Sequence, residues 1–157
     1  VPSNRLGFSH YRLVSGGFLN DPSTVRFIEY KWFRGGDYFL YTHPLYTFQN
    51  LPETFATPEV YFMANATHHF EGFLLNRIPL IRRLKLNVAM GASILSIPSR
   101  SLMHLETYVG AEHKMKLWDQ PVRWGIYYGL FPNNMNSGYR IKIGMDFKDT
   151  FLDRWNF

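Results

Sequence analysis

The C-terminal half of the chain alternates between apolar and polar residues with a period of two. In the run 139–148, Ile141 and Ile143 stand on one side, and Arg140 and Lys142 stand on the other. Successive side chains of a β-strand point to opposite faces of its sheet. The run therefore predicts a strand with one apolar face and one polar face.

Four earlier runs show the same alternation and complete the set of clearest predicted strands. These strands lie at residues 60–73, 84–95, 104–117, 122–131 and 138–148. Weaker patterns at residues 6–20, 25–33 and 38–42 raise the expected total to about seven or eight strands. The clear runs exceed the roughly five or six residues of a typical globular strand, and they match the roughly 9 to 11 residues that cross a bilayer.

Long strands whose polar faces carry both signs of charge favour an all-β fold, an antiparallel transmembrane β-barrel over residues 1–157. In this arrangement Ile126 faces lipid, while Tyr127 and Arg123 face the interior. A soluble β-barrel that binds an apolar ligand would bury the apolar face instead, and periodicity alone does not separate the two. The aromatic content of 18% favours the membrane barrel, since such barrels carry aromatic girdles.

Composition removes several other classes of protein. The mean hydropathy of −0.21 agrees with a barrel that shows lipid only every second residue. The uncharged stretch 88–99 is shorter than the roughly 20 residues of a membrane-spanning helix. The 17 Lys and Arg residues are scattered, so the net charge of +5 does not indicate nucleic-acid binding. Cysteine is absent, which excludes disulfides and thiolate metal sites.

The order of the strands also predicts which connections share a side of the membrane. If the last strand ends in the periplasm, residues 132–137, 97–103 and 42–59 form outer loops. Residues 118–121 and 76–83 then form periplasmic turns. The longest predicted loop, 42–59, falls on the outer side, where such barrels keep their longer loops.

Histidines are the first candidates for chemistry, and their spacing argues against a metal site. His68 and His69 are adjacent, so a regular strand points them to opposite faces. His104 and His113 are an odd number of positions apart and are separated in the same way. No phosphate loop, nucleophile elbow or dinucleotide fingerprint occurs. We expect no catalytic, cofactor-binding or metal-binding residue and no enzyme.

Charged residues gather on the predicted interior face. They are Glu106, Glu112, Asp146, Lys114, Lys116, Arg123, Arg140 and Lys142. Such a set can tune permeation, or it can form cross-strand ion pairs that match buried charges. Glycines recur within the same strands, at Gly72, Gly91, Gly110, Gly125, Gly129 and Gly144. Glycine inside a strand marks a bend, a bulge or a close backbone approach.

One segment carries a family resemblance. Residues 68–85 read HHFEGFLLNRIPLIRRLK and resemble the HHFNGF-LNKIPLLKKLK stretch of large Bacteroidota outer-membrane proteins. In that family a barrel of unassigned role follows a carboxypeptidase-regulatory-like N-terminal domain. The C-terminal strands are also similar in pattern to surface-antigen barrels of the outer-membrane insertase superfamily, with Tyr108-Val109-Gly110-Ala111 at a typical strand start.

The resemblance implies that the chain forms the C-terminal strands of a larger barrel in a bacterial outer membrane, although a complete eight-stranded barrel also suits its length. The first residue is Val1, so we expect a processed chain or part of a longer one. The implied role is scaffolding, transport or envelope assembly. Expected partners are outer-membrane lipid, lipopolysaccharide, the barrel-assembly machinery and other envelope proteins. The sequence names no cargo.

Overall fold

The computed structural model describes residues 7–18, 21–51, 55–70, 86–117, 120–132 and 138–147. Its strands are β1 (Phe8–Gly16), β2 (Lys31–Trp32), β3 (Ala56–Thr57), β4 (Tyr61–His69), β5 (Leu86–Ile97), β6 (Leu102–Leu117), β7 (Gln120–Phe131) and β8 (Gly138–Phe147). Six of them form one sheet in the order β1-β4-β5-β6-β7-β8. Strands β2 and β3 form a separate two-stranded sheet.

The all-β, antiparallel architecture predicted from the sequence is confirmed. Every pair of neighbours in the six-stranded sheet is antiparallel, and β1 and β8 are its edges. The described residues contain three short 3-10 turns, Pro22–Thr24, Phe27–Glu29 and Pro98–Arg100, and no α-helix. In this part of the chain no helix has the length and apolar character needed to cross a membrane.

The register keeps one set of residues on each face along the whole sheet. Strands β5 and β6 pair from Leu86 opposite His113 to Ile97 opposite Leu102. A slip by one residue would move every side chain of a strand to the other face. The turn that joins these two strands helps to fix their register. In that turn Ser101 adopts a left-handed backbone with φ 50°, and its N–H donates to the carbonyl oxygen of Pro98 at 3.0 Å.

The clearest predicted strands are present with their ends shifted by a few residues, and some predictions fall outside the described residues. The strand predicted at 60–73 runs from Tyr61 to His69. Strand β5 continues to Ile97, β6 begins at Leu102 and β7 begins at Gln120. The predicted turn 76–83, most of the motif 68–85 and all residues after 147 lie outside the described residues.

The strand predicted at residues 25–33 is wrong. The chain forms a 3-10 turn at Phe27–Glu29 and pairs only through the short β2. The Glu29 carboxylate accepts hydrogen bonds from the Arg26 backbone N–H at 3.3 Å and from its guanidinium at 2.5 Å. Local side-chain to backbone bonds of this kind compete with the ladder of a sheet.

The strand predicted at residues 38–42 is reduced to one bridge on the free edge of β8. The Ile143 N–H donates to the carbonyl oxygen of Phe39, and the Tyr41 N–H donates to the carbonyl oxygen of Ile143, both at 2.9 Å. Leu40 thereby pairs with Ile143 in parallel. The middle of the β8 edge is therefore covered by residues 39–41.

The two faces of the six-stranded sheet differ in chemistry. We call the face covered by residues 37–51 the inner face and the opposite one the outer face. Exposed apolar side chains on the outer face are Tyr11, Leu13, Phe62, Met90, Met103, Val109, Met115, Trp124, Ile126, Tyr128, Leu130, Tyr139, Ile141, Ile143 and Met145. Val122 was expected among them by parity, but it is buried.

Candidate functional site

The inner face is lined by polar and charged side chains that are almost completely buried. Each is at most 4% exposed, and the set comprises Asn65, Thr67, Ser93, His104, Glu106, Glu112, Arg123 and Lys142. Burial without partners would be costly for all of them, and most of all for the charged ones. Each of these side chains therefore needs a hydrogen-bonding or ionic partner within the protein.

Residues 37–51, which we call the covering segment, provide hydrogen-bond partners for three of these side chains, Asn65, Glu106 and Lys142. The Glu106 carboxylate accepts hydrogen bonds from the backbone N–H groups of Gln49 and Asn50, at 2.5 and 2.6 Å. Its Oε1 also lies 2.7 Å from Nε2 of His104. A single buried carboxylate thus holds two successive peptide groups of a segment that precedes it by more than fifty residues.

Three further side chains bind carbonyl oxygens of the covering segment. Lys142 Nζ donates to Asp37 at 2.6 Å and also to Gln49. Arg12 Nη1 donates to the Leu45 carbonyl at 3.0 Å, and Asn65 Nδ2 donates to the Pro44 carbonyl at 3.2 Å. The covering segment is therefore attached to β1, β4, β6 and β8 through its own backbone.

Apolar packing adds to this attachment at one end of the sheet. Phe48 and Leu51 of the covering segment are buried with Phe33 against the inner face. Their partners on the strands are Tyr61, Met63, Leu95 and Ile97. Further along, the Tyr41 ring stacks on Tyr127 with ring centroids 3.5 Å apart.

Residues 42–51, the first part of the loop predicted at 42–59, fold onto the inner face of the sheet. The side of the membrane predicted for this loop stays a prediction. The contacts that hold residues 42–51 come from residues distant in the sequence, such as Glu106 and Lys142. One local signal existed: Leu45, Phe48 and Leu51 recur at every third position, which is unusual for a solvated loop. All three are buried.

A second polar cluster lies on the inner face between β4, β6 and β7. Glu112 Oε2 lies 3.0 Å from His69 Nδ1 and 3.6 Å from Arg123 Nη1. The Tyr127 hydroxyl donates to the other Glu112 oxygen at 2.8 Å. The His69 ring also stacks on Phe8 of β1 at 4.8 Å. Glu112 therefore joins β6 to its neighbour β7 and, across β5, to β4.

A cavity of about 390 Å³ lies beside this cluster and under the covering segment. Its wall includes charged, imidazole and phenol groups as well as apolar residues such as Leu40, Ile143 and Met145. The polar and aromatic members include His10, Tyr41, His69, Glu112, Arg123 and Tyr127. The volume falls in the range of small-molecule sites, which span roughly 300 to 1,000 Å³. The arrangement can accommodate a small polar solute.

The histidines separate as their spacing predicted. His69 lies on the inner face, whereas His68 lies on the other side, with Nδ1 2.7 Å from the Ser9 hydroxyl. His104 is buried beside Glu106, whereas the His113 ring contacts Trp124 on the outer face. In the described part of the chain, no three His, Asp or Glu side chains come together as a metal site.

The charged residues predicted to share the interior face differ in their contacts and in their burial. Glu112 and Arg123 form a cross-strand pair, whereas Glu106 and Lys142 bind the covering segment. The Arg140 guanidinium lies 4.3 Å above the Tyr38 ring. Lys116 is exposed and Lys114 is half-buried. The side chain of Asp146 lies outside the described residues.

Two buried tyrosines, Tyr108 and Tyr127, explain several of the strand glycines. Tyr108 stands between Gly91 on β5 and Gly129 on β7. A Cβ at Gly91 would lie 2.4 Å from the Tyr108 hydroxyl oxygen. That hydroxyl donates to Thr67 at 2.8 Å. The glycines leave room for rings that lie across the inner face, which is the close approach expected of glycine in a strand.

Residues 1–111 match the model for the C-terminal domain of a family of unknown function, DUF5686. The chain belongs to this family. The DUF5686 match contains the covering segment and Glu106, and it ends within β6. Arg123 and Lys142 follow it. No curated protein and no solved structure matches the chain.

Proposed function

We propose that this chain forms part of the wall of a β-barrel in the outer membrane of Bacteroidota, with a non-catalytic role in scaffolding, transport or envelope assembly. The observation that carries the proposal is the inverted burial of the sheet. Polar side chains such as Glu106 and Lys142 are buried on the inner face, while large apolar side chains cover the outer face. Transmembrane barrels alternate apolar outward and polar inward in this way.

The outer face carries many exposed apolar side chains whose burial would stabilise the protein. On β8, Tyr139, Ile141, Ile143 and Met145 are each between 60 and 71% exposed. Complete burial of one such side chain stabilises by about 1.5 to 3 kcal/mol, so lipid around the whole face would contribute far more than a few isolated contacts. A continuous apolar surface of this extent marks an interface with a membrane or another protein.

Strand length supports the same proposal. Strand β7 has 12 residues and β8 has 10, and a tilted strand of roughly 9 to 11 residues crosses the hydrocarbon core. The rival function, a soluble barrel that binds an apolar ligand, needs an apolar interior. The buried Asn65, Glu106 and Arg123 disfavour it.

The proposal sets an orientation and a set of partners. With the end of β8 in the periplasm, the connection between β1 and β4 begins and ends on the extracellular side of the membrane. The turn at Pro98–Arg100 lies on the same side. Outer-membrane lipid and lipopolysaccharide surround the outer face. The barrel-assembly machinery inserts the chain, and other envelope proteins are further candidates for contact.

Fractionation of cells that express the full protein with its own leader tests the proposal. We expect the protein in the outer-membrane fraction, released only by detergent, with folded and heat-denatured forms that migrate differently on a gel. Recovery from the soluble fraction as a detergent-free monomer would overturn it.

A further inference from the structure

Along most of its length, the covering segment makes polar contacts to the inner face through its own backbone. Arg12, Asn65, Glu106 and Lys142 provide these contacts from four different strands. Water can replace each of them when the segment moves away, because the groups involved are hydrogen-bond donors and acceptors. Apolar contacts of the segment include the anchor at Phe48 and Leu51 at one end of the sheet and the ring of Tyr41 on Tyr127 further along.

We propose that the covering segment is a displaceable plug that closes a passage for small polar solutes along the inner face. The inference rests on the proposed function, since the inner face is a passage only inside a barrel. Barrel interiors closed by loops are one of the ways in which membrane barrels limit permeation.

The surface beneath the plug suits solutes that are polar and carry no net charge. The cavity of about 390 Å³ under residues 40–44 is lined by one carboxylate, Glu112, and one guanidinium, Arg123. Thr67, His69 and Tyr127 add hydroxyl and imidazole groups, and apolar residues such as Leu40, Ile143 and Met145 also line the cavity. Pore linings of mixed charge select by size and hydrogen bonding more than by the sign of charge.

Glu106 is the point at which the plug is best tested. The Glu106→Ala substitution removes the acceptor of two backbone N–H groups, Gln49 and Asn50, and leaves the apolar anchor in place. Glu59→Ala is the matched control, because Glu59 pairs with Arg100 and Ser99 and makes no described contact with the covering segment. A second variant closes the plug covalently: residues 1–157 contain no cysteine, so Pro44→Cys with Asn65→Cys introduces a single pair of thiols into them.

The full protein and its variants are reconstituted in liposomes, and flotation is checked before swelling in raffinose and bilayer conductance are measured. We expect a several-fold faster flux for Glu106→Ala than for the native protein or Glu59→Ala. Oxidation of the cysteine pair in the Glu106→Ala background should return the flux to the native level, and reduction should restore it. Flotation with equal flux in all variants, oxidised or reduced, would refute the plug. Failure of every variant to float would refute the proposed function itself.

Discussion

Gly110 lies directly opposite Tyr127 on the neighbouring strand, and the tyrosine ring occupies the space that a side chain at position 110 would need. A Cβ built on Gly110 would lie 2.2 Å from Cδ1 of Tyr127. The ring cannot retreat freely, because it stacks on Tyr41 and its hydroxyl donates to Glu112.

The Gly110→Ala substitution should therefore destabilise the protein by about 1 to 3 kcal/mol, the usual cost of forcing extra volume into a packed site. Urea unfolding in lipid, followed by tryptophan fluorescence, measures the free energy of unfolding. In a Tyr127→Ala background the added methyl group meets no ring, so the same substitution should cost much less. Equal costs in both backgrounds would show that the ring does not set the requirement for glycine.

The outer face yields a second prediction. Ile126→Arg places a charge at a position that is 52% exposed in the middle of β7, and it should cost roughly 2 to 4 kcal/mol if that position meets lipid. Ile28→Arg is the matched control, since Ile28 is 83% exposed in a 3-10 turn outside the sheet and should tolerate the charge. Heat-modifiable gel mobility after refolding into the same lipid compares the two. If both variants refold equally well, the outer face is in contact with water.

The buried carboxylate of Glu112 gives a third prediction. Glu112→Gln removes the charge that faces Arg123 and weakens the acceptor for His69, and breaking a buried pair in this way costs roughly 3 to 5 kcal/mol. The Glu29→Gln substitution makes the same chemical change in an exposed pair with Arg26, and it should leave stability unchanged. Both are measured by urea unfolding in lipid. A neutral outcome for Glu112→Gln would mean that its charge contributes nothing to the folded state.

The edge of β8 gives a fourth prediction. The N–H of Ile143 donates to Phe39 and therefore points away from β7, and the N–H of Ile141 points the same way because ladder bonds alternate. Proline at either position spares the pairing with β7. Ile143→Pro also removes the bond to Phe39 and should lose about 1 kcal/mol more than Ile141→Pro, which has no such partner in the described part of the chain. Equal losses in urea unfolding would contradict a structural role for the bridge at residues 39–41.

The sequence predicted the sheet well because its signal is local. Parity alone puts Ile126 and Tyr127 on opposite faces of the sheet, and this separation holds whatever packs against either face. The exception, Val122, shows that parity gives direction and not exposure. The strand predicted at residues 25–33 failed for a local reason as well, the bonds between Arg26 and Glu29, which apolar periodicity does not weigh.

The covering segment could not be predicted from the same signal. Its position depends on Glu106 and Lys142, which lie on strands far along the chain, and a period-two pattern states only that these residues share a face. The second cluster was half predicted. Glu112 and Arg123 were expected on one face, but the contribution of His69 needs the register of β4 against β5 and β6.

The attachment of the covering segment through its own backbone bears on how its sequence can change over evolutionary time. Every amino acid supplies the carbonyl oxygens that Arg12, Asn65 and Lys142 bind, and every one except proline supplies the N–H groups that Glu106 requires at positions 49 and 50. Exposed positions of the segment such as His43 and Tyr46 can therefore be replaced without loss of these bonds. This part of the molecule can therefore drift in sequence while the strands that hold it keep the same four side chains.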